Sequence, residues 1–345
     1  MPMKKTSSVL FIALSLCLLL TPLLGLAVFG ESRPAANEIQ APRPRLRTAE
    51  GAFNGEVLRE TADAFADRFA LRQELVTAWA RLNAALGSSI EEQVILGREG
   101  WLYYAPTLDD YSGLAADEAT LAAITERLAA LQKEAEARGA VFLLAVAPNK
   151  NSLHGEYMPA WAAEDHDGGT WARLRPLLDE AGVPYADLFD PALPYYRTDS
   201  HWTAQGAAMA ADRLLAALGR ESAYGGRPFT EGAPRVGDLY EMLYPAATGA
   251  EPEIVDGGGF AYTALDEPRG GTALNIRTEN PAAAGSLLCW RDSFGNALYP
   301  YLAESFGYAR FSRSGDYDLA AAWDRDYDLV LLEIAERNLP KLAAD

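Results

Sequence analysis

Residues Ser286–Phe306 read SLLCWRDSFGNALYPYLAESF, and the fold turns on this stretch. The apolar run Ser286–Trp290 predicts a strand buried on both faces. Arg291-Asp292-Ser293-Phe294-Gly295 follows at once, and Phe294–Phe306 then reads as a helix. Ser293 therefore falls at a strand-to-helix turn, where the first N–H groups of a helix have no intrahelical partner. Those donors and the helix dipole suit the oxyanion of a tetrahedral acyl intermediate. A serine at a helix start is also an ordinary N-cap, so the turn alone does not decide the chemistry.

Working outward, the same alternation recurs. Val141–Ala147 (VFLLAVA) and Asp328–Ile334 (DLVLLEI) are continuous apolar runs of strand length, and Pro184–Leu188 reads as a short strand. Leu121, Ile124, Leu128 and Leu131 step by three and four along a helix that ends near Gly139. Trp171–Ala181 and Ala204–Leu218 predict two further helices, the second with Thr203 as N-cap. Gly97–Tyr104 looks like a turn feeding a strand, and Gly225–Asn280 like an irregular or β-rich insertion. Strand–helix alternation of this kind implies an α/β architecture, a parallel sheet sandwiched by helices. Ligands bind outside the carboxyl ends of such strands, which directs attention to 148–154, 189–203, 291–295 and 334–338.

The N-terminal part has a different character. Lys4 and Lys5 precede an uncharged stretch from Thr6 to Gly30. That is longer than the roughly 7–15 apolar residues of a cleavable signal and matches the roughly 20 needed to span a bilayer. Residues 1–30 are therefore expected to be a cytoplasmic tip and an uncleaved transmembrane helix, although small residues near Ala27 and Gly30 would also permit cleavage and secretion. The two lysines put the N-terminus in the cytoplasm and the bulk of the chain on the extracytoplasmic side. Residues 31–55, with Pro34, Pro42 and Pro44, read as a linker. The domain 56–345 opens with a helix from about Glu56 to Leu86, with Leu58, Phe65, Phe69, Val76 and Trp79 on one face. The two cysteines, Cys17 and Cys289, lie in different regions and supply no disulfide framework. A net charge of −18 disfavours nucleic acid and anionic membrane surfaces as partners.

The second chemically informative segment is Tyr195–Gly206, YYRTDSHWTAQG. Of three histidines, only His201 is flanked by Asp199 and Trp202 just ahead of a helix. A serine hydroxyl needs an adjacent base to act as a nucleophile at neutral pH. A carboxylate on the far ring nitrogen then fixes the imidazole tautomer and stabilises the imidazolium. Asp199 and His201, two residues apart, can project to one side of an extended turn. No second histidine or cysteine stands at metal-ligand spacing, so neither a metal nor another cofactor is expected.

Asp199-Ser200-His201-Trp202-Thr203 followed by Gly206 resembles the D-x-H-W-[ST] signature of the AlgJ/AlgX alginate O-acetyltransferases and their DHHW relatives, which are similar to SGNH hydrolases. Further matches come in the order that family shows: Asp67–Arg72 (DRFALR), Gly97–Tyr104, Ala147-Pro148-Asn149-Lys150, Arg235–Leu243 (RVGDLYEML), Arg291–Gly295 and Glu336–Leu339 (ERNL). They span residues 56–340. The resemblance implies an SGNH-like fold with Ser293 as nucleophile, His201 as general base and Asp199 as its orienting carboxylate. Asn149, Lys150, Trp202, Phe294 and Arg337 are further candidates for oxyanion or substrate contacts. For Asn149 and Lys150 the plain alternative is a turn after a strand, and for Arg337 an ion pair with Glu333 or Glu336. Two features depart from the alginate enzymes: Asp292 stands where a threonine is expected, and no carbohydrate-binding module follows.

The activity the resemblance implies is O-acetylation of an extracellular or cell-envelope polysaccharide through an acyl-enzyme. It also implies a membrane-bound O-acyltransferase as the acetyl-donating partner. An esterase that removes acetyl groups shares every step up to breakdown of the acyl-enzyme. A non-catalytic scaffold of a polymer-export complex is the reading from another class, and it has no need of Asp199, His201 and Ser293 together.

Overall fold

The computed structural model describes residues 3–34, 38–114, 116–165, 167–266 and 273–343. Parts of the predicted linker (35–37) and insertion (267–272) thus lie outside the described residues. The chain divides into two compact units, one formed by Met1–Glu91 with Tyr240–Thr248, the other by Glu92–Leu239 with Gly249–Asp345.

In the first unit, the helix Met3–Phe29 contains a 22-residue apolar stretch, Ser8–Phe29, long enough to cross a membrane. Pro22 lies inside it. The single helix expected over 56–86 is two, Val57–Arg68 and Arg72–Ala85. The break falls at Leu71, whose φ of 60° is left-handed, a conformation that cannot continue a right-handed helix. Helical periodicity runs through the break, and no Gly or Pro marks it. The DRFALR segment has a structural use here. Asp67 accepts from the Ala41 N–H at 2.6 Å, Arg68 donates to the Ala41 carbonyl, and Arg72 pairs with Glu38 at 2.7 Å. Part of the proline-rich segment is thereby tied down.

Among its described residues the second unit holds eleven strands: β1 (Val94–Leu96), β2 (Leu102–Tyr104), β3 (Val141–Ala147), β4 (Tyr185–Ala186), β5 (Phe229–Arg235), β6 (Glu251–Asp256), β7 (Thr263–Ala264), β8 (Asn275–Glu279), β9 (Ser286–Trp290), β10 (Tyr308–Ser312) and β11 (Leu329–Ala335). Seven of them form one sheet in the order β4-β3-β11-β9-β10-β8-β7. The run from β4 to β10 is parallel, as expected, and β8 and β7 are added antiparallel. Two parts of this were not anticipated. β10 is a five-residue strand whose apolar pattern is interrupted by Arg310, too short to stand out. The segment read as an insertion supplies both antiparallel strands, and also the separate β5–β6 ribbon.

Apart from Arg310 in β10 and Glu333 in β11, the parallel strands are largely apolar because both faces are covered. On one face Ala145, Leu287 and Cys289 pack with Ala207, Ala211, Leu298 and Leu302 of the helices Ala204–Ala217 and Gly295–Ser305. On the other, Leu144, Leu288 and Val330 pack with Ile124, Leu128 and Leu174 of the helices Glu118–Ala137 and Thr170–Ala181. This is the helix-sheet-helix sandwich that the alternation predicted. The carboxyl ends of β3, β9 and β11 carry Asn149, Ser293 and Glu336 just beyond them.

Candidate active site

The loop before the helix Ala204–Ala217 is pinched into a hairpin-like bulge by an antiparallel bridge between Tyr195 and Trp202. Thr203 N–H donates to the Pro194 carbonyl, and the Thr203 side chain caps the helix through Gly206 N–H, as its position predicted. A Cβ on Gly206 would stand 2.5 Å from the Pro194 carbonyl oxygen, so the close return of the loop requires glycine there. Asp199 and His201 sit at the tip of this bulge.

Three side chains line up across the two segments. Ser293 Oγ lies 2.8 Å from His201 Nε2, and His201 Nδ1 lies 2.7 Å from Asp199 Oδ1. Asp199 is buried and its carboxylate is saturated. Oδ1 also accepts from the His201 backbone N–H, while Oδ2 accepts from Arg235 Nη2 at 2.9 Å and from Asp238 N–H at 3.1 Å. Burial pushes the Asp199 carboxyl up, but the hydrogen bond and charge of His201, with the Arg235 guanidinium, outweigh it and hold it well below the usual carboxylate range. For His201, burial pulls the pKa down, and Asp199 and Asp238 more than reverse this, raising it to about 9.

Trp202 and Phe294 join the two segments. Trp202 Nε1–H donates to the Phe294 carbonyl at 3.2 Å, and the two rings meet edge to face with centroids 5.0 Å apart. Phe294 also packs on the His201 ring, 4.8 Å between centroids. Both aromatics are buried, so they fix where the base stands relative to the hydroxyl. The turn itself is braced by Asp292. Its carboxylate accepts from the N–H groups of Phe294 and Ala335 and from the Asn338 side chain, tying the end of β9 to the end of β11. Glu333, inside β11, accepts from Asp292 N–H at 3.0 Å, and burial pushes its carboxyl well up.

The remaining candidates stand elsewhere. Lys150 is buried and donates to three backbone carbonyls, those of Tyr196, Arg197 and Asp199, which uses all three ammonium hydrogens. It holds the bulge from behind, and burial draws its pKa down to about 7 against the pull of Asp199 and Asp238. Asn149 is fully buried, donating Nδ2–H to Asp110 and its backbone N–H to Glu336, and does not line the cleft. Arg337 forms no ion pair with Glu333 or Glu336. Glu336 accepts instead from Asn149 and Ser152, and the Arg337 guanidinium lies over the rings of Phe294 (5.2 Å) and Tyr104 (5.5 Å).

Three residues had no assigned role in the sequence reading. Asp238 Oδ2 is 3.4 Å from His201 Nδ1, and its carboxylate also binds the backbone N–H and side chain of Ser200. Arg235 pairs with Asp199 and lies 4.1 Å over the Tyr196 ring. Glu251 accepts from the N–H groups of Arg197 and Thr198, closing the base of the bulge. Arg235 and Asp238 were visible in RVGDLYEML, three residues apart, but nothing local says that they turn toward Asp199. Gly237 between them packs so closely on the Thr198 carbonyl that a Cβ would clash.

Ser293 and His201 open into a cleft of about 470 Å³. The β5–β6 ribbon contributes Arg235, Glu253, Ile254, Val255 and Asp256 to its lining, and the helix after Ser293 contributes Asn296, Ala297, Pro300 and Tyr301. Asp199, His201 and Asp238 also converge closely enough to suggest a cation site, but Arg235 already supplies the positive charge there.

This α/β sandwich, with a hydroxyl, an imidazole and a carboxylate in one row at the strand ends, has the SGNH hydrolase-like architecture. Residues 94–257 match the family model described as SGNH hydrolase-like domain, acetyltransferase AlgX, a span that contains Asp199 and His201 and stops short of Ser293. Over that span the chain is similar to the AlgJ and AlgX proteins. It is 26% identical over 204 residues to the probable alginate O-acetylase AlgJ of Pseudomonas syringae pv. tomato, covering 55% of this chain and 51% of that protein. It is 24% identical over 258 residues to the AlgJ of Pseudomonas fluorescens, covering 67% and 62%. The chain thus spans about half to three fifths of the length of these relatives. Among solved structures, Bacillus cereus PatB1 superposes with a TM-score of 0.56 at 18% identity, over 71% of this chain and 96% of that one, which supports the fold.

Proposed function

We propose that this chain is a membrane-anchored O-acetyltransferase that modifies an extracellular or cell-envelope polysaccharide through an acyl-enzyme on Ser293. The observation that carries the reading is the unbroken row Ser293 Oγ, His201 Nε2, His201 Nδ1, Asp199 Oδ1, at 2.8 and 2.7 Å, opening onto a cleft. With Asp199 on Nδ1, the neutral imidazole presents the Nε2 lone pair to the serine hydroxyl. Ser293 Oγ attacks the acyl carbonyl of the donor, and its proton passes to His201. The imidazolium then returns that proton to the leaving group as the donor bond breaks. A sugar hydroxyl next enters the same place, gives its proton to His201 and attacks the acyl carbon. The Ser293 ester bond breaks, and His201 reprotonates Ser293. The Ser293 backbone N–H has no hydrogen-bond partner among the described residues, and it is offered as an oxyanion donor.

The apolar helix Ser8–Phe29 supports anchoring, with the domain on the extracytoplasmic side. The proposed partners of the chain are a polysaccharide as acceptor, in keeping with the name alginate O-acetylase that the AlgJ relatives carry, and, from the family resemblance alone, a membrane-bound O-acyltransferase as acetyl donor. The test is a 4-nitrophenyl acetate assay on the full chain in detergent, with mass spectrometry of the protein after a sulfonyl fluoride. The expected result is ester turnover and a single adduct on Ser293, both lost in Ser293→Ala. An adduct elsewhere, or turnover unchanged in that variant, rejects the mechanism.

A further inference from the structure

We infer that the acceptor glycan is uncharged, and that Glu253 on the cleft wall selects against uronate chains. The inference deepens the transfer reading above and rests on it.

The charges around the cleft carry a net negative sign. Two arginines at the cleft wall are both committed, while Arg337, 5.2 Å over the Phe294 ring and without an ion pair among the described residues, stands just outside the lining. Arg235 is held by Asp199 at 2.9 Å and stacked on Tyr196. Arg227, behind the wall, is shared between Asp256 at 3.3 Å and Glu304 at 2.5 Å, and also donates to the Gly259 carbonyl. Against these two cations stand Asp199, Asp256, Glu304 and Glu253, with Asp238 3.4 Å from the imidazole. Glu253 is exposed on β6 and has no cationic partner among the described residues. Its charge therefore faces the cleft uncompensated.

Four further cations near the site do not line the cleft. Lys150 is spent on three carbonyls behind the bulge, and Arg291 is buried, bonded to Asn296 and to the Ala273 carbonyl. Arg197 and Arg337 lie outside the cleft lining. The cleft does supply apolar surface. Phe260 is 38% exposed within it, its ring braced edge-on by Tyr301 with centroids 5.1 Å apart. The Phe260 ring, which also has the Arg227 guanidinium 5.2 Å from its centroid, offers aromatic surface for the C–H face of a pyranose. Each uronate carboxylate brought to about 4–8 Å from Glu253 in a water-like medium is disfavoured roughly two- to fivefold, and successive sugars compound the effect.

The experiment compares matched neutral and uronate oligosaccharides with the full chain in detergent, using 4-nitrophenyl acetate as donor across a salt series. Direct binding of the same sugars to the Ser293→Ala chain is measured in parallel. The expected result is a preference for the neutral acceptor in transfer and binding of about tenfold at low ionic strength, narrowing as salt screens the repulsion. Glu253→Gln should reduce that preference, and Glu253→Lys should abolish or reverse it. A uronate preference that weakens with salt overturns the inference, as does failure of the neutral sugar to bind, or a preference indifferent to both Glu253 variants. Loss of the transfer reading itself shows separately, as absence of Ser293-dependent ester turnover without any acceptor.

Discussion

Asp238→Asn tests the electrostatics of the proposed base most directly. His201 Nδ1 faces two carboxylates, Asp199 at 2.7 Å and Asp238 at 3.4 Å. The Asp238 side chain is about a third exposed, so a water-like dielectric is the appropriate choice for its share. One unit charge at 3.4 Å is then worth about 332/(80 × 3.4), about 1.2 kcal/mol, or about 0.9 in pKa. The His201 pKa, raised to about 9, should fall to about 8 in the variant. A general base works only when neutral, so kcat/KM for 4-nitrophenyl acetate should rise with pH along a limb set by the free enzyme's imidazole. The wild-type limb is expected near 9 and the Asp238→Asn limb near 8, with a lower plateau because the base is weaker. The sign for stability is fixed by the same shift. His201 binds its proton more tightly folded than unfolded, so its stabilising contribution is complete below about 6.5 and disappears as pH rises through about 9. Thermal unfolding at pH 6 should therefore show the variant less stable than wild type, with the gap closing above pH 9. A pH–rate limb that stays in place in Asp238→Asn would refute the reasoning, because it would show that the second carboxylate does not act on the imidazole.

Ser293→Ala and His201→Ala should each lower ester turnover by orders of magnitude, and the double variant should be little worse than either, since groups acting as one unit are not additive. A double variant far below both singles would assign them to separate mechanisms. Asp199→Asn should reduce activity steeply, by analogy with the roughly 10⁴-fold loss in a serine protease, by favouring the wrong imidazole tautomer. Near-normal rates would leave His201 oriented by Asp238 alone. Trp202→Phe removes the 3.2 Å bond to the Phe294 carbonyl while keeping most of the ring, and should cost about 1 kcal/mol of stability in denaturant unfolding, with a fall in turnover. No change in either would show that the bond does not set the approach of base to serine. The apolar helix should remain on the mature protein, and N-terminal sequencing that began near Glu31 would show a cleaved signal.

The sequence by itself determined the sandwich. Val141–Ala147, Ser286–Trp290 and Leu329–Ala335 are, but for Ser286 and Glu333, apolar without alternation, as a strand covered on both faces requires. It also placed Ser293, His201 and Asp199 at the strand ends, because a strand-to-helix turn and a capped helix start are local features that short motifs encode. What it left open were contacts between distant segments. The break at Leu71 depends on backbone dihedrals that helical periodicity does not report. The antiparallel edge strands β8 and β7 come from a segment with no clear period, and their place is set by pairing with β10, itself only five residues long. Lys150 read equally as an oxyanion or substrate contact and as part of a turn after a strand, and only the tertiary fold shows it buried against three carbonyls as a support. Arg235, Asp238 and Glu251 lie 36, 38 and 53 residues from the groups their side chains hold, which are Asp199, Ser200 and Thr198 in turn. Their charges were legible in the sequence, but their partners became determinate only when the β5–β6 ribbon and the bulge came together, because an electrostatic contact depends on distance and burial that no spacing along the chain specifies.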